Sequence, residues 1–217
     1  MDLLIFDLDG TLIDSKLDLA HAVNATRAHM GMEPLEFECV YSYVGNGAPV
    51  LIRRALGEQA TEEEVEEGLE FFLEYYREHV LDFTRLYPGV KESLDRLGAA
   101  GKRMAVLTNK PVRMSRFIVR GLGVAEHFFQ VYGGNSFDFK KPNPIGVETL
   151  MREAAVSREH TMMVGDSAVD VNTANNAGVM SCGVTYGFQP ETLIDPKPDL
   201  LVDRIEELVD WVLCKPL

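Results

Sequence analysis

The stretch "LLIFDLDGTLIDS", Leu3–Ser15, joins a short apolar run to a pair of aspartates. Its apolar run Leu3–Phe6 is typical of a buried β-strand, and Asp7 and Asp9 follow directly. Two carboxylates this close repel, and each tends to keep its proton unless a cation lies beside it. Mg²⁺ accepts one or two carboxylates together with water and phosphate oxygens. Surface turns and helix caps also contain D-x-D pairs, but a buried strand before the pair and Gly10-Thr11 after it favour a metal site.

The composition of the chain narrows the class of protein. Its 217 residues are 46% hydrophobic and 25% charged, and the formal net charge of -13 with no basic stripe argues against nucleic acid. No apolar run approaches the ~18 residues of a membrane span, and the N-terminus lacks a signal-peptide pattern. Three cysteines without C-x-x-C spacing indicate neither a zinc site nor a disulfide framework. We expect a cytoplasmic protein without a nucleic-acid or membrane partner; a monomer and a homodimer both remain open.

Short apolar runs recur along the chain and alternate with segments of helical spacing. Strands that alternate with helices predict an α/β fold with a three-layer, Rossmann-like parallel sheet. The runs are apolar throughout, as expected for strands buried on both faces. Polar residues follow each of the first three runs, and in such sheets the carboxyl ends of the strands form the ligand crevice. The four runs are Leu3–Phe6, Met104–Leu107, Thr161–Val164 and Val179–Val184.

One interval, from Asp9 to Met104, is far longer than the ~30 residues of a βαβ unit. Residues 17–30 have helical spacing, and Thr61-Glu62-Glu63-Glu64 resembles a capping box that opens a helix. We therefore predict a helical cap domain over residues 15–83, inserted into a core domain of residues 1–14 and 84–217.

Two further groups of polar residues are candidates for the same sheet edge. Asp166 ends a strand and Asp170 follows four residues later, with Ser167 suited to cap the next helix. The other group is Thr108-Asn109-Lys110 with Lys140-Lys141-Pro142. It offers a hydroxyl donor and an ammonium, which suit a phosphoryl group whose negative charge is spread over several oxygens. A lysine before proline is, in isolation, more often a loop feature. The prediction of a phosphoryl site therefore depends on the hydroxyl, ammonium and carboxylate groups occurring together.

Four segments together resemble the motifs of the haloacid dehalogenase superfamily, in order and in spacing. They are "DLDGTLIDS", "LTNK", "KKPNP" and "GDSAVDVNTANNAG". The likeness is strongest to the phosphoglycolate phosphatase-like members, which carry a helical cap after the first strand, and it covers nearly the whole chain. It implies that Asp7 is a nucleophile that forms an aspartyl phosphate. It also implies that Asp9 is the general acid and base.

The resemblance assigns further roles around these two aspartates. Thr108 would hydrogen-bond a phosphoryl oxygen with Asn109 beside it, and Lys141, rather than Lys140, would neutralise the nucleophile and the phosphoryl group. The implied cofactor is Mg²⁺. Its ligands would be the carboxylates of Asp7 and Asp166 and the backbone carbonyl of Asp9, with Asp170 supporting the metal directly or through water.

Substrate choice is expected to depend on the cap. Gly45-Asn46-Gly47 has the flexibility of a loop whose backbone approaches a small ligand, although a plain turn between helices is the alternative. Arg53 and Arg54 are candidate partners of a substrate carboxylate, or else lie on a solvated helix face. Lys110 is a candidate for substrate binding or electrostatic support.

The sequence therefore predicts a Mg²⁺-dependent phosphatase that hydrolyses a small phosphorylated metabolite such as 2-phosphoglycolate. A phosphomutase of the same fold acting on a sugar phosphate is one alternative, and a catalytically silent binding protein is another. The silent protein is disfavoured because Asp7, Asp9, Lys141 and Asp166 are all present. A dehalogenase would not need Asp9, and a phosphonatase would need a Schiff-base lysine, for which the cap offers only Lys16 at its edge.

Overall fold

A computed structural model describes residues 1–214, so residues 215–217 of the predicted core domain lie outside the described chain. The structure has two compact units. One contains Met1–Asp14 and the chain from Leu86, and the other contains Ser15–Arg85. Each unit is described by itself below.

Strands and helices alternate through the larger unit, whereas the smaller one is helical. The strands are β1 (Leu3–Phe6), β2 (Ile13–Asp14), β3 (Arg85–Leu86), β4 (Arg103–Leu107), β5 (Gln130–Tyr132), β6 (Thr161–Gly165), β7 (Met180–Val184) and β8 (Leu200–Val202). The α-helices are α1 (Lys16–His29), α2 (Phe37–Tyr41), α3 (Ala48–Leu56), α4 (Glu62–His79), α5 (Val90–Ala99), α6 (Val112–Gly121), α7 (Ile145–Ala154), α8 (Ala168–Ala177) and α9 (Ile205–Cys214). Within residues 1–214, no helix is both long and apolar enough to cross a membrane.

The main sheet has six strands in the order β5-β4-β1-β6-β7-β8, and every neighbouring pair is parallel. β1 lies between β4 and β6, with Phe6 opposite Val106 on one side and Val164 on the other. All four residues of β1 are buried, which explains why its sequence is apolar without alternation. The predicted α/β class with a parallel sheet flanked by helices is confirmed. β2 and β3 form a separate two-stranded sheet.

Helices pack on the sheet through alternate strand residues. Leu3 and Ile5 of β1 belong to a buried cluster that also contains Val147 and Leu150 of α7 and Ala174 of α8. Because successive strand side chains point to opposite faces, Leu4 and Phe6 lie on the other face, where the ring of Phe6 packs edge-on against Phe128. This packing fixes β1, β4 and β6 side by side, so the loops after them meet at one edge.

The smaller unit is built from α1 to α4. Thr61 and Glu64 form a reciprocal capping box at the start of α4, so the capping box predicted from the sequence is present. Gly68 lets α4 lie close to its neighbours, since a Cβ there would be 3.0 Å from Leu56 Cδ1. The buried Asp18 carboxylate accepts hydrogen bonds from the backbone N–H groups of Phe83 and Thr84, which joins the two ends of the unit.

Candidate active site

The chain turns sharply after β1. Asp7 N–H donates to Val164 O at 2.9 Å, as a last rung of the sheet, and the Leu8 carbonyl then accepts N–H groups from residues 11, 12 and 13. Gly10 has φ of 81°, and a Cβ on it would lie 2.2 Å from Asp166 Oδ2. Only glycine satisfies both conditions. As a result the chain does not stay extended, and the carboxylates of Asp7 and Asp9 reach different partners.

Lys141 lies between two carboxylates. Its Nζ is 2.6 Å from Asp170 Oδ1 and 2.9 Å from Asp7 Oδ1, and its side chain is 2% exposed. Burial alone would lower the pKa of Lys141, but the charges of Asp170 and Asp7 raise it overall. Lys141 is therefore a fixed cation in direct contact with the predicted nucleophile. Asn109 Nδ2 donates to the Lys141 carbonyl at 3.2 Å, which ties the lysine to the loop after β4.

Both oxygens of Asp170 have partners in the protein. Oδ1 accepts from Lys141, while Oδ2 accepts the Ser167 hydroxyl at 2.7 Å and the Ser167 N–H at 3.2 Å. Ser167 and Asp170 thus form the N-terminal capping box of α8, as the predicted capping role of Ser167 requires. A Cβ on Gly165 would lie 2.1 Å from the Asp170 Cγ, so the end of β6 must be glycine for this arrangement.

Asp166 is enclosed by backbone. Its Oδ2 accepts the Phe188 N–H at 2.6 Å, and a Cβ on Gly187 would lie 2.2 Å from the Asp166 Cβ. In the same loop after β7, the Tyr186 hydroxyl donates to Thr11 O at 2.9 Å. The loop therefore holds the turn after β1 and the Asp166 carboxylate together.

Carboxylate oxygens of Asp7, Asp166 and Asp170 lie within 4.8 Å of one another. Burial raises the pKa of Asp7 to about 6, with Lys141 opposing and Asp170 adding to the shift. Burial, followed by the charges of Asp170 and Asp7, raises the pKa of Asp166 well above its ordinary value. Asp7 Oδ1 is buried, and among the described residues it has Lys141 Nζ at 2.9 Å but no hydrogen bond of ordinary geometry. An all-oxygen cluster that is short of positive charge fits a hard divalent cation.

Asp9 is not part of this cluster of three. Lys110 Nζ lies 3.0 Å from both of its carboxylate oxygens, and the two side chains are 5% and 14% exposed, Lys110 first. Thr108 directly follows β4, and its hydroxyl accepts the Lys110 N–H at 3.2 Å. The structure thus brings Asp7, Thr108, Asn109, Lys141, Asp166 and Asp170 to one edge of the sheet, with Asp9 and Lys110 as a separate ion pair there.

Two loops that no motif singled out also build this edge. One is the segment Tyr186–Gln189 described above, and the other is the turn Gly133–Ser136 after β5, whose Gly134 N–H donates to Lys110 O at 2.9 Å. The Gly-Gly pair after β5 and the glycine Gly187 after β7 are signals of a turn or loop. They mark a turn, but they do not indicate which backbone the turn will touch.

The substrate-binding residues predicted in the insertion all lie in the helical unit. Gly45 and Gly47 have positive φ of 114° and 87°, and Gly47 caps the N-terminus of α3. Arg53 donates to Ala60 O at 3.0 Å and pairs with Glu62, while Arg54 donates to Tyr43 O at 3.2 Å. These contacts give both arginines a structural role within the unit. Their role and that of Asn46 toward a substrate stay predictions.

Comparison with known proteins agrees with this geometry. The model of the haloacid dehalogenase-like hydrolase family matches residues 4–184. The chain is 41% identical over 217 residues to a phosphoglycolate phosphatase of Vibrio parahaemolyticus, covering 97% of this chain and 95% of the relative. A phosphoglycolate phosphatase of Chromobacterium violaceum is 38% identical over 209 residues, covering 94% and 93%. The crystal structure of a predicted phosphoglycolate phosphatase from Haemophilus somnus superposes with a TM-score of 0.92 at 33% identity, covering 98% of both chains.

A parallel sheet with carboxylates and a buried lysine at its carboxyl edge defines a phosphoryl-transfer type of site. With the family model and these relatives, the chain belongs to the haloacid dehalogenase-like hydrolase family. The resemblance inferred from the four motifs is confirmed, and so is the predicted enzyme class, a phosphoric monoester hydrolase.

Proposed function

We propose that this phosphatase hydrolyses 2-phosphoglycolate in a Mg²⁺-dependent reaction that passes through an aspartyl phosphate on Asp7. The observation that carries the proposal is the pairing of Asp7 with the buried Lys141, beside Asp166 and Asp170. The names of relatives about 40% identical along nearly the whole chain support the substrate. The helical unit is proposed to act as the cap that selects it.

In the first half of the proposed reaction, an Asp7 oxygen attacks phosphorus and the bond to the ester oxygen breaks. Lys141 fits this role because a fixed ammonium beside the nucleophile offsets the charge of the incoming phosphate. Asp9 begins this half in its protonated form, which the previous turnover leaves, and donates that proton to the leaving glycolate oxygen. The Thr108 hydroxyl and the Asn109 amide follow the end of the neighbouring strand β4, and we propose that they hold phosphoryl oxygens.

In the second half, Asp9 accepts a proton from water, and the water oxygen attacks phosphorus of the aspartyl phosphate. The bond between phosphorus and the Asp7 oxygen breaks, which releases inorganic phosphate and restores the Asp7 carboxylate. The same group is thus first an acid and then a base, and the reaction consumes one water for each ester.

The carboxylates of Asp7 and Asp166 and the Asp9 carbonyl would hold Mg²⁺, which would supply positive charge to the phosphoryl group as a Lewis acid. Asp170 is proposed to support the metal indirectly, since its two oxygens are taken up by Lys141 and Ser167. We further propose a cytoplasmic location. Free thiols at Cys39, Cys182 and Cys214 support it, because such thiols persist under reducing conditions.

The proposal is tested with a panel of small phosphomonoesters, with phosphate release measured in Mg²⁺ and in EDTA. We expect 2-phosphoglycolate to give the highest kcat/KM and EDTA to reduce release to background. Release that needs a sugar bisphosphate activator would support the phosphomutase instead. A panel without any activity would contradict the proposed function.

A further inference from the structure

Lys110 holds both oxygens of the Asp9 carboxylate at once. Its Nζ lies 3.0 Å from Asp9 Oδ1 and 3.0 Å from Asp9 Oδ2, and its side chain is 5% exposed. An exposed lysine–aspartate pair stabilises its geometry only weakly, because water screens the attraction and the lysine loses rotamer freedom. Burial weakens the screening and strengthens the attraction. The ion pair therefore restricts the rotation of the Asp9 carboxyl group.

The backbone on both sides of Lys110 is fixed by the turn Gly133–Ser136. Gly134 N–H donates to Lys110 O at 2.9 Å, and the Val112 N–H donates to Asn135 Oδ1 at 2.9 Å. The residue between them, Pro111, has no N–H and a restricted φ. The Lys110 segment is thus held at three points, which are the Lys110 carbonyl, the Val112 N–H and the Lys110 ammonium.

The turn lies so close to the backbone of the Lys110 segment that only glycine fits at positions 133 and 134. A Cβ on Gly133 would lie 2.3 Å from the Val112 nitrogen and 2.5 Å from the Lys110 oxygen. A Cβ on Gly134 would lie 2.4 Å from the Asn109 oxygen. The Ser136 hydroxyl closes the turn by accepting the Gly133 N–H at 2.9 Å. Any side chain at the pair would push the turn off the Lys110 segment.

We propose that Lys110 is a positioning residue for the Asp9 carboxylate, and that the turn Gly133–Ser136 holds Lys110 in place for that task. The proposal rests on the proposed function, in which Asp9 transfers protons. It differs from a substrate-binding role in its kinetic signature. A group that only positions the acid–base affects kcat, whereas a group that binds substrate uniformly affects KM.

The first experiment replaces the ammonium with a side chain of similar length. We expect Lys110→Met to lower kcat by about 10- to 100-fold, as misplacement of a catalytic group by about 1 Å does, with KM within about twofold of wild type. The matched control is Lys102→Met, which removes another lysine–aspartate pair, at 3.1 Å to Asp2, before the amino ends of the strands. We expect the control to keep wild-type kcat and KM.

A double-mutant cycle isolates the contribution of the Lys110–Asp9 pair. We expect Lys110→Met to cause no further loss of kcat once Asp9→Asn has removed the acid–base, because the lysine then has nothing to position.

Variants of Asn135 test whether the turn Gly133–Ser136 holds Lys110 in place. Asn135→Ala should lower kcat by about 2- to 10-fold. Asn135→Asp should restore kcat, since it keeps an oxygen acceptor for the Val112 N–H.

Three results would overturn the positioning role. They are a raised KM with unchanged kcat in Lys110→Met, additive losses in the cycle, and equal kcat in Asn135→Ala and wild type. If Lys110→Met does not fold, as thermal melting would show, the Asn135 pair decides the question. If wild type and Lys102→Met release no phosphate from any ester, the proposed function fails as well, and this outcome is distinct from the other three.

Discussion

At the scale of single residues, two buried lysines contact three of the four aspartates of the site. Lys141 contacts Asp7 and Asp170, and Lys110 contacts Asp9. Asp7 and Asp9 are two positions apart in sequence, yet the turn after Leu8 sends them to different cations. Their environments therefore differ, which is what a nucleophile and a proton carrier require.

The nucleophile role is tested by Asp7→Asn, which keeps the shape of the side chain and removes its charge. We expect phosphate release to fall by at least about 10³-fold, because the amide does not attack phosphorus, while the protein stays folded. The matched control is Asp2→Asn, the same substitution just before β1 in a pair with Lys102, with an expected kcat within about twofold of wild type. Steady-state kinetics and circular dichroism check both. Near-normal turnover in Asp7→Asn would contradict the assignment.

At the scale of elements, the sequence predicts the strands that line the site better than the loops that brace it. Leu3–Phe6 is apolar throughout because β1 is buried between β4 and β6, so its pattern alone identifies it. The short edge strands β5 and β8 have three residues each, and their sequences do not separate them from loop. They follow from pairing with a neighbour, which is a tertiary effect.

Contacts between loops that are distant in sequence are also tertiary effects, and the sequence does not predict them. The four motifs predict Asp166 and Asp170 at the sheet edge, but not that Phe188 N–H bonds the first of them across 22 positions. The capping box at Ser167 was predictable because all its partners lie within four residues. Contacts that depend on two loops meeting in space leave no local pattern to read.

The loop after β7 gives a prediction at this scale. Gly187→Ala places a methyl group 2.2 Å from the Asp166 Cβ and 2.5 Å from Gly10 O, so Asp166 or the loop must shift. We expect the Mg²⁺ concentration for half-maximal activity to rise by about 10-fold or more, the size of effect seen when groups that support a metal ligand are changed. Titration of phosphate release with Mg²⁺ measures it.

The control for this change is Gly98→Ala in α5, where the new methyl group would meet nothing closer than 3.8 Å. Alanine is favoured over glycine inside a helix by about 0.5–1 kcal/mol, so the control should be slightly more stable and keep its Mg²⁺ requirement. An unchanged Mg²⁺ requirement in Gly187→Ala would show that the loop does not hold Asp166 for the metal.

At the scale of the whole molecule, the site concentrates negative charge in a protein whose formal net charge is already -13. Asp7, Asp166 and Asp170 lie together, Lys141 contacts Asp7 and Asp170, and burial raises the pKa of Asp7 and of Asp166. A group whose pKa is raised on folding binds its proton more tightly in the folded state. Above its unfolded pKa, such a group therefore weakens the fold until a cation offsets its charge.

This charge predicts a pH-dependent stability in EDTA. Between its unfolded pKa of 3.8 and its folded pKa of about 6, Asp7 holds a proton in the folded protein that the unfolded chain has already released. Raising the pH through that window should therefore destabilise wild type relative to Asp7→Asn by about 3 kcal/mol, because each tenfold change in proton affinity on folding is worth about 1.4 kcal/mol. Denaturant unfolding of both proteins across the window measures the difference, in which the titrating groups away from Asp7 cancel. Mg²⁺ should remove most of it at pH 7 and little at pH 4, because the metal binds ionised carboxylates. A difference that is independent of pH, or that Mg²⁺ leaves unchanged at pH 7, would contradict a cation site at Asp7.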